Sequence, residues 1–449
     1  MENKKAGTTS LAKKMGISLI CGLAAGIALM FVRESMNSSG NQATWAMINS
    51  ILFQDITAQG AESALGIFYI IGQLFIRSLQ LVIVPMVFTS IALAVGQISD
   101  TRTLGRISFK TIGWFLLCSF FALLMACVVG ILVYNAGFFT AQVEGLSGAA
   151  GSTGSNPLNV VLNVVPSNIA SAFSSNTAVL SIVFVAVAVG LCMNALGEEK
   201  TSTLKKLITE VNDIVVVFLN YVVTKFGPFA IFVLLTRTFA TYGINYLKPA
   251  FAYVIVTTIL LFLFLLVVYP LVVAFGAKMN PMIFVKKIIN VAVFGFSTSS
   301  SAATLPLNQK TCTEGFGVDS KIASFVLPLG MTINMNGTAI MQVIATVFIA
   351  GCAGYEVTFP QLIVIALLAL IASAGTPAAP GAGAVILFTI LSGVGFVNDS
   401  ALLAYSLILA INRPIEMLVT SLNVVGDAVT SICVAKSEGL LDEDKYNAV

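Results

Sequence analysis

The sequence contains no histidine and little charge. Of 449 residues, 23 are Lys or Arg and 20 are Asp or Glu, 10% in all. Soluble globular chains carry about 25% charged residues, so this composition excludes an ordinary soluble domain. Without histidine, the usual metal ligand, proton relay and catalytic base is missing. A net charge of +3 is too small to imply a nucleic-acid partner. The seven cysteines form no CxxC pair and lie mostly in apolar runs, where they read as buried, reduced, inert thiols.

What the chain has is apolar length, with 57% hydrophobic residues. Apolar segments recur at roughly 15–33, 66–98, 108–136, 178–195, 209–236 and 249–276, the pattern of a polytopic membrane protein. The first run, Ile17–Val32, follows Lys4, Lys5, Lys13 and Lys14. It lacks the small-residue cleavage site of a signal peptide and reads as a first transmembrane helix with a cytoplasmic N-terminus. Loops 34–65 and 137–177 contain no Lys or Arg, whereas Arg102, Arg106, Lys110, Lys200, Lys205, Lys206, Lys278, Lys286 and Lys287 fall in the alternate loops. This alternation fits six crossings under the positive-inside rule. The Gly/Ser-rich stretch Glu144–Asn156 reads as a flexible external loop.

After residue 276 the apolar runs are interrupted. Phe296–Pro306 reads FSTSSSAATLP, Leu329–Ala339 reads LGMTINMNGTA, and Ala372–Gly383 reads ASAGTPAAPGAG. Broken backbone survives at membrane depth only where protein or a water-filled cavity satisfies its polar groups. The first and third breaks lie in similar apolar hairpins, about 280–312 and 360–396. That correspondence points to inverted repeats around a midplane binding site.

The last apolar helix carries Asn412, Glu416, Thr420, Asn423 and Asp427 on one stripe. Each carboxylate costs roughly 2.5–3.5 kcal/mol near the bilayer centre on insertion scales. Keeping both, aligned with amides and a hydroxyl, suits a transporter that holds polar cargo inside the membrane. The run Ser299–Ser301 can present hydroxyls and helix N-terminal amides to a carboxylate, or be a plain polar turn. Asn334, Asn336 and Thr338 offer oxygens to a hard cation, with the helix unwinding at Gly337, or hydrogen-bond between packed helices. Asp427 can ligate sodium with Asn423 or carry a proton. Glu416 can accept an ammonium, carry a proton, or pair with Arg413. Arg413 precedes Pro414, so the helix is kinked or begins nearby. Arg77 reads as a snorkelling or packing residue.

On these motifs the chain resembles the dicarboxylate/amino acid:cation symporters, a family that includes the excitatory amino acid transporters. The resemblance covers six helices, a serine-rich hairpin, an NMDGT-like helix, a Pro-Gly-Ala-Gly hairpin and a polar final helix. It implies an all-α polytopic membrane protein of eight transmembrane helices plus two re-entrant helical hairpins, an elevator-type homotrimer. Residues 1–107 and 137–248 would form the scaffold, 108–136 and 249–435 the transport domain, and 436–449 a cytoplasmic tail. The first hairpin would be the inner gate and the second the outer gate.

The resemblance also implies site residues. Ser300 and Ser301 on the first hairpin, with Asn423, match groups that hold the substrate's main-chain carboxylate. Thr420 and Glu416 match those around its amino group, and Thr338 and Gly383 lie beside its side chain. Gly330, Asn334, Asn423 and Asp427 match one sodium site, and Ser373, Ala374 and Thr376 a second, largely backbone one. Members with acidic substrates carry an arginine where this chain has Val419, or on the first hairpin where it has Ser299. Arg413 is the one arginine available as a substitute. A third sodium site uses an aspartate where Asn336 stands, and hydroxyl residues where Phe115 and Cys118 stand, with Ser119 retained.

The expectation is a sodium-coupled symporter of a neutral or polar amino acid, with fewer than three sodium ions per substrate. The alternative is an acidic amino acid or C4-dicarboxylate symporter, possible with proton coupling. An anion channel would not need two gates around a polar stripe. An enzyme is excluded by the lack of a nucleophile–base pair or metal-ligand cluster, and no organic cofactor is expected. The expected partners are a small-molecule substrate, the lipid bilayer and two further copies of the chain, in the plasma membrane with both termini cytoplasmic.

Overall fold

The computed structural model describes residues 2–57, 60–96, 102–140, 164–174, 178–242, 247–376 and 381–448. The expected external loop Glu144–Asn156 lies outside them. The described chain is nearly all helix: α1 (Glu2–Ser38), α2 (Gln42–Leu52), α3 (Ile67–Leu81), α4 (Ile83–Gly96), α5 (Arg102–Asn135), α6 (Ile169–Phe173), α7 (Val179–Leu196), α8 (Glu198–Tyr221), α9 (Gly227–Tyr242) and α10 (Leu247–Leu263). There follow α11 (Tyr269–Val272), α12 (Pro281–Thr298), α13 (Ser301–Lys310), α14 (Ser320–Ile333), α15 (Asn336–Ala353), α16 (Phe359–Ala374), α17 (Ala382–Val394), α18 (Asp399–Ile411), α19 (Arg413–Glu438) and α20 (Glu443–Asn447). Two π-helical segments, Phe264–Val268 and Val273–Ala277, flank α11, where Pro270 removes one backbone donor.

Polar caps fix the hairpin boundaries. Asn280 accepts from the Met282 amide at 2.9 Å to start α12. Thr358 and Gln361 form a capping box at the start of α16, which satisfies two otherwise orphaned donors. At the tip of the first hairpin Ser299 adopts φ 49°, a left-handed conformation that turns the chain between α12 and α13. Ser300 then caps α13 by accepting from the Ala303 amide at 3.3 Å.

Eight helical stretches among the described residues are long and apolar enough to cross a membrane. They are not the same eight that the family resemblance implies. Pro281–Thr298, the first arm of the first hairpin, qualifies by length, whereas Ser181–Leu196, at the expected fourth crossing, is shorter. Length alone does not separate a spanning helix from a re-entrant arm.

Helices α1 and α3 each pack on α9, while α4, α7 and α8 pack on one another. Helices α5, α10, α14 and α19 pack on α15 or on its neighbours, α12 and α13 on α19, and α16 and α18 on α15. The windows within Ser320–Ala353 and Arg413–Glu438 are 94% and 89% buried, against at most 39% elsewhere. The two polar-bearing segments are therefore the core, and their polar groups face protein rather than lipid.

A candidate substrate and ion site

The break in the expected seventh helix falls at Asn334–Met335, not at Gly337. Asn334 (φ −87°, ψ 72°) and Met335 (φ −107°, ψ 49°) leave helical geometry, and α15 restarts at Asn336. Gly337 is inside α15 and has a different purpose. Its amide donates to Asn423 Oδ1 at 2.8 Å, and a Cβ there would lie 2.9 Å from the Val419 carbonyl oxygen. Glycine is needed for close approach of α15 to α19, not for backbone freedom.

The break brings a connected polar cluster into the core. Asn334 Nδ2 donates to Asp427 Oδ1 at 2.9 Å. Asn336 Nδ2 donates to Asn334 Oδ1 at 2.9 Å and to Tyr269 Oη at 3.1 Å. Ser119 Oγ donates to Asn336 Oδ1 at 2.7 Å. Gly330 lies against Asp427, with the carboxylate carbon 2.8 Å and the Phe115 ring 3.0 Å from where a Cβ would stand. Among the described residues, Asn334 is the one hydrogen-bond donor to the Asp427 side chain, and no Lys or Arg pairs with it. An ionised carboxylate buried with one amide donor is strongly disfavoured unless a cation joins it. Oxygens of this kind suit a hard monovalent ion.

One turn away, Asn423 Nδ2 donates to Thr338 Oγ1 at 3.1 Å and contacts Met335 Sδ at 3.1 Å. Gly383 of the second hairpin packs on α15, and its carbonyl accepts from Gln342 Nε2 at 3.1 Å. Arg413 and Glu416 form an ion pair at 3.5 Å, with side chains 9% and 10% exposed. Glu416 Oε1 also accepts from the Ala384 amide at 3.3 Å, which ties the second hairpin to α19. Arg413 Nε has no hydrogen-bond partner among the described residues. A cavity of about 30 Å³ adjoins this pair, lined by Phe75, Leu79 and Val223 on one side and Gly381, Arg413 and Glu416 on the other. Such a space admits roughly one water molecule.

The sequence-derived residues fall into four groups. Gly330, Asn334, Asn423 and Asp427 come together with Thr338. Glu416, Arg413 and Thr420 occupy the start of α19, where Thr420 Oγ1 donates to the Glu416 carbonyl at 3.0 Å. Ser373 and Thr376 direct their hydroxyls onto carbonyls of α16, Leu370 at 3.0 Å and Ala372 at 2.9 Å. Their hydroxyl protons are thereby used, which leaves the oxygens' lone pairs and the backbone carbonyls, with that of Ala374, for a ligand, and their hydrogen bonds do not join the Asp427 cluster. Ser300 and Ser301 are at the tip of the first hairpin, half-buried and buried.

Asn412 departs from the stripe. It lies at the junction of α18 and α19 and accepts from Tyr253 Oη at 2.6 Å. Tyr269, Tyr253 and Gln342 are polar participants that the sequence reading passed over. Each is one polar group in an apolar run, which was the available signal. Arg77 is exposed, as expected of a residue outside the site.

A family model described as the sodium:dicarboxylate symporter family matches residues 11–437. The chain is 29% identical over 388 residues to the proton/sodium-glutamate symport protein of Bacillus caldotenax, covering 84% of this chain and 89% of that one. It is 28% identical over 388 residues to the proton/glutamate-aspartate symporter of Escherichia coli, with 83% and 86% covered. Identity to the C4-dicarboxylate transport protein of Bacillus subtilis is 26% over 382 residues, with 84% and 88% covered.

Proposed function

This chain belongs to the sodium:dicarboxylate symporter family, and from that premise we propose that it carries an acidic amino acid or C4-dicarboxylate across the plasma membrane with sodium ions or protons. It is a multi-pass membrane transporter, not an enzyme. The observation that carries the substrate reading is the buried Arg413–Glu416 pair. Glu416 already has a cationic partner, so it is not a free acceptor for an ammonium. Arg413 lacks a partner at Nε among the described residues and is the cation offered to a second substrate carboxylate. The names of the relatives, which move glutamate, aspartate or C4-dicarboxylates, support the same reading over the neutral amino acid expected from Val419 and Ser299.

The charge balance suggests a mechanism. An acidic amino acid offers Arg413 its side-chain carboxylate and releases Glu416 to hold the ammonium. Ser300, Ser301 and Asn423 take the main-chain carboxylate, while Thr338, Gly383 and Thr420 bound the cargo. A dicarboxylate has no ammonium and would leave Glu416 buried and unpaired, which costs several kcal/mol. A proton on Glu416 removes that penalty and would make transport of such cargo proton-linked. Sodium is held by Asp427 with oxygens of Asn334, Asn423 and Gly330, and a second ion by backbone oxygens of Ser373, Ala374 and Thr376. Residues 108–136 and 249–435 move as one unit against a trimeric scaffold, and the hairpins gate the site.

The test is counterflow in proteoliposomes with labelled aspartate and a panel of competitors, with and without a sodium gradient. Aspartate, glutamate or succinate is expected to compete at least ten-fold better than alanine or serine, with the preference lost in Arg413→Ala. The second reading, a neutral amino acid, rests on the uncharged Val419 and Ser299. It wins if serine or alanine competes best and Arg413→Ala leaves that order unchanged.

A further inference from the structure

The segment after α19 does not leave the protein surface. Leu440 and Asp442 pair with the chain after the first hairpin. The Asp319 amide donates to the Leu440 carbonyl at 3.0 Å, and the Asp442 amide donates to the Gly317 carbonyl at 2.9 Å. Between them Val318 and Leu441 form an isolated antiparallel bridge. Gly317 has φ 72°, and a Cβ there would stand 2.9 Å from the Asp442 Cβ. The pairing therefore depends on a glycine at this position.

Helix α20 then reaches back to the base of the same hairpin. Tyr446 is fully buried, its ring 5.5 Å from that of Phe316, which in turn stacks on Phe284 of α12 at 5.5 Å. The Tyr446 hydroxyl donates to the Asn280 carbonyl at 2.9 Å, at the start of the first arm. Lys287, on that arm, donates its ammonium to the carbonyls of Gly315 at 2.9 Å, Lys445 at 3.0 Å and Tyr446 at 2.8 Å. An ammonium has three protons, and each of these acceptors belongs to the hairpin's end or to the tail. The end of α19 is itself held: Glu438 pairs with Arg106 at 2.5 Å and Lys110 at 2.6 Å on α5.

We propose that Leu440–Asn447 is an intramolecular clasp that joins both arms of the first hairpin at their base to the end of α19, with Lys287 and Tyr446 as positioning residues for that hairpin's movement in the transport cycle. The clasp holds the base of the arms to the end of α19, and through Glu438 to α5, at the end opposite the serine tip. The sequence gives no hint of this, because a short polar terminus with four acidic or basic residues among its last ten reads as solvated. The proposal rests on the hairpin being a gate, but the labelling experiment below does not, so the two ideas fail separately.

Cys312 supplies a native probe. It is buried in the turn Thr311–Gly315 at the hairpin base. Cys352, buried in α15, serves as the control for global opening. Labelling with N-ethylmaleimide would be followed cysteine by cysteine by peptide mass spectrometry in the full chain, a chain ending at Gly439, Tyr446→Ala and Tyr446→Phe. In the truncated and alanine chains Cys312 is expected to react at least ten-fold faster than in the wild type, with Cys352 unchanged. Tyr446→Phe, which keeps the ring and loses the hydroxyl, should fall between. In transport, the same variants are expected to change the maximal uptake rate at least three-fold with substrate affinity held within two-fold. Equal labelling of Cys312 in all four chains overturns the clasp. Parallel acceleration of Cys352 overturns it too, since the tail would then be a general stability element. Faster Cys312 labelling with an unchanged maximal rate overturns the positioning role.

Discussion

Asn334 and Asp427 meet across the interrupted helix, with the amide nitrogen 2.9 Å from the carboxylate. The contact joins the unwound junction of α14 and α15 to the centre of α19. It places a buried carboxylate beside the unwound backbone of Asn334 and Met335, the pairing expected of a cation site.

Asp427→Asn keeps the volume and removes the charge. Sodium-dependent uptake is expected to fall by at least 100-fold while the protein elutes and melts like the wild type. The comparison is uptake in proteoliposomes with sodium or choline outside. Sodium-stimulated uptake at wild-type level in the variant would show that the ion is held elsewhere.

Asn336 bears on the number of ions. Its carboxamide accepts from Ser119 and donates to Tyr269 and Asn334, so neutral partners occupy the position of an aspartate–cation pair. Fewer than three sodium ions should accompany each substrate. Reversal potentials measured at several sodium gradients count them, and a value of three refutes the assignment. Asn336→Asp places an unpaired charge there, expected to destabilise by about 3–5 kcal/mol. Sodium should then recover part of the loss in a thermal-melt titration.

The Arg413–Glu416 pair predicts strong non-additivity. Breaking a buried pair by removing one partner costs about 3–5 kcal/mol, whereas replacing both with apolar groups of similar size is often near neutral. Arg413→Met alone should therefore destabilise far more than Arg413→Met with Glu416→Leu. A double-mutant cycle on melting free energies reads the coupling, and additive losses would mean that the pair contributes nothing in the membrane-embedded protein.

Gly337→Ala tests the approach of α15 to α19. The new methyl would lie 2.9 Å from the Val419 carbonyl oxygen and 3.1 Å from Asn423 Oδ1. Overpacking of this kind costs about 1–3 kcal/mol, and here it also displaces Asn423 from the Gly337 amide. Substrate and sodium affinities should both weaken at least ten-fold in equilibrium binding. Gly113→Ala, also a glycine-to-alanine change inside a helix, α5, but with open space around it, should leave both affinities intact. Equal effects from the two changes would make helix packing irrelevant to binding.

Much of the fold was legible because it is written in local patterns. Apolar length marks the spanning helices, and the clusters around Ser299, Asn334 and Thr376 mark the interruptions, since broken backbone needs polar residues nearby. The stripe Glu416, Thr420, Asn423 and Asp427 follows from helical period alone. Period also misplaced Asn412 by one junction, because Pro414 starts a new helix there and the pattern continues across the gap. The choice of Gly337 as the point of unwinding failed for a related reason. Glycine permits a break but also permits two helices to touch, and the sequence does not distinguish the two uses.

The sequence by itself determined the membrane class, the two interrupted hairpins and the polar face of the last helix, because each depends on residues near one another in the chain. Tertiary structure alone decided which partners those polar groups take. Ser119 reaches Asn336 across 217 positions, Asn336 reaches Tyr269 across 67, and Tyr446 reaches Asn280 across 166. A side chain's helical position sets the face it lies on. Whether it then meets a neighbour or keeps an oxygen for an ion depends on ångström-scale distances between packed helices, and no local pattern encodes those.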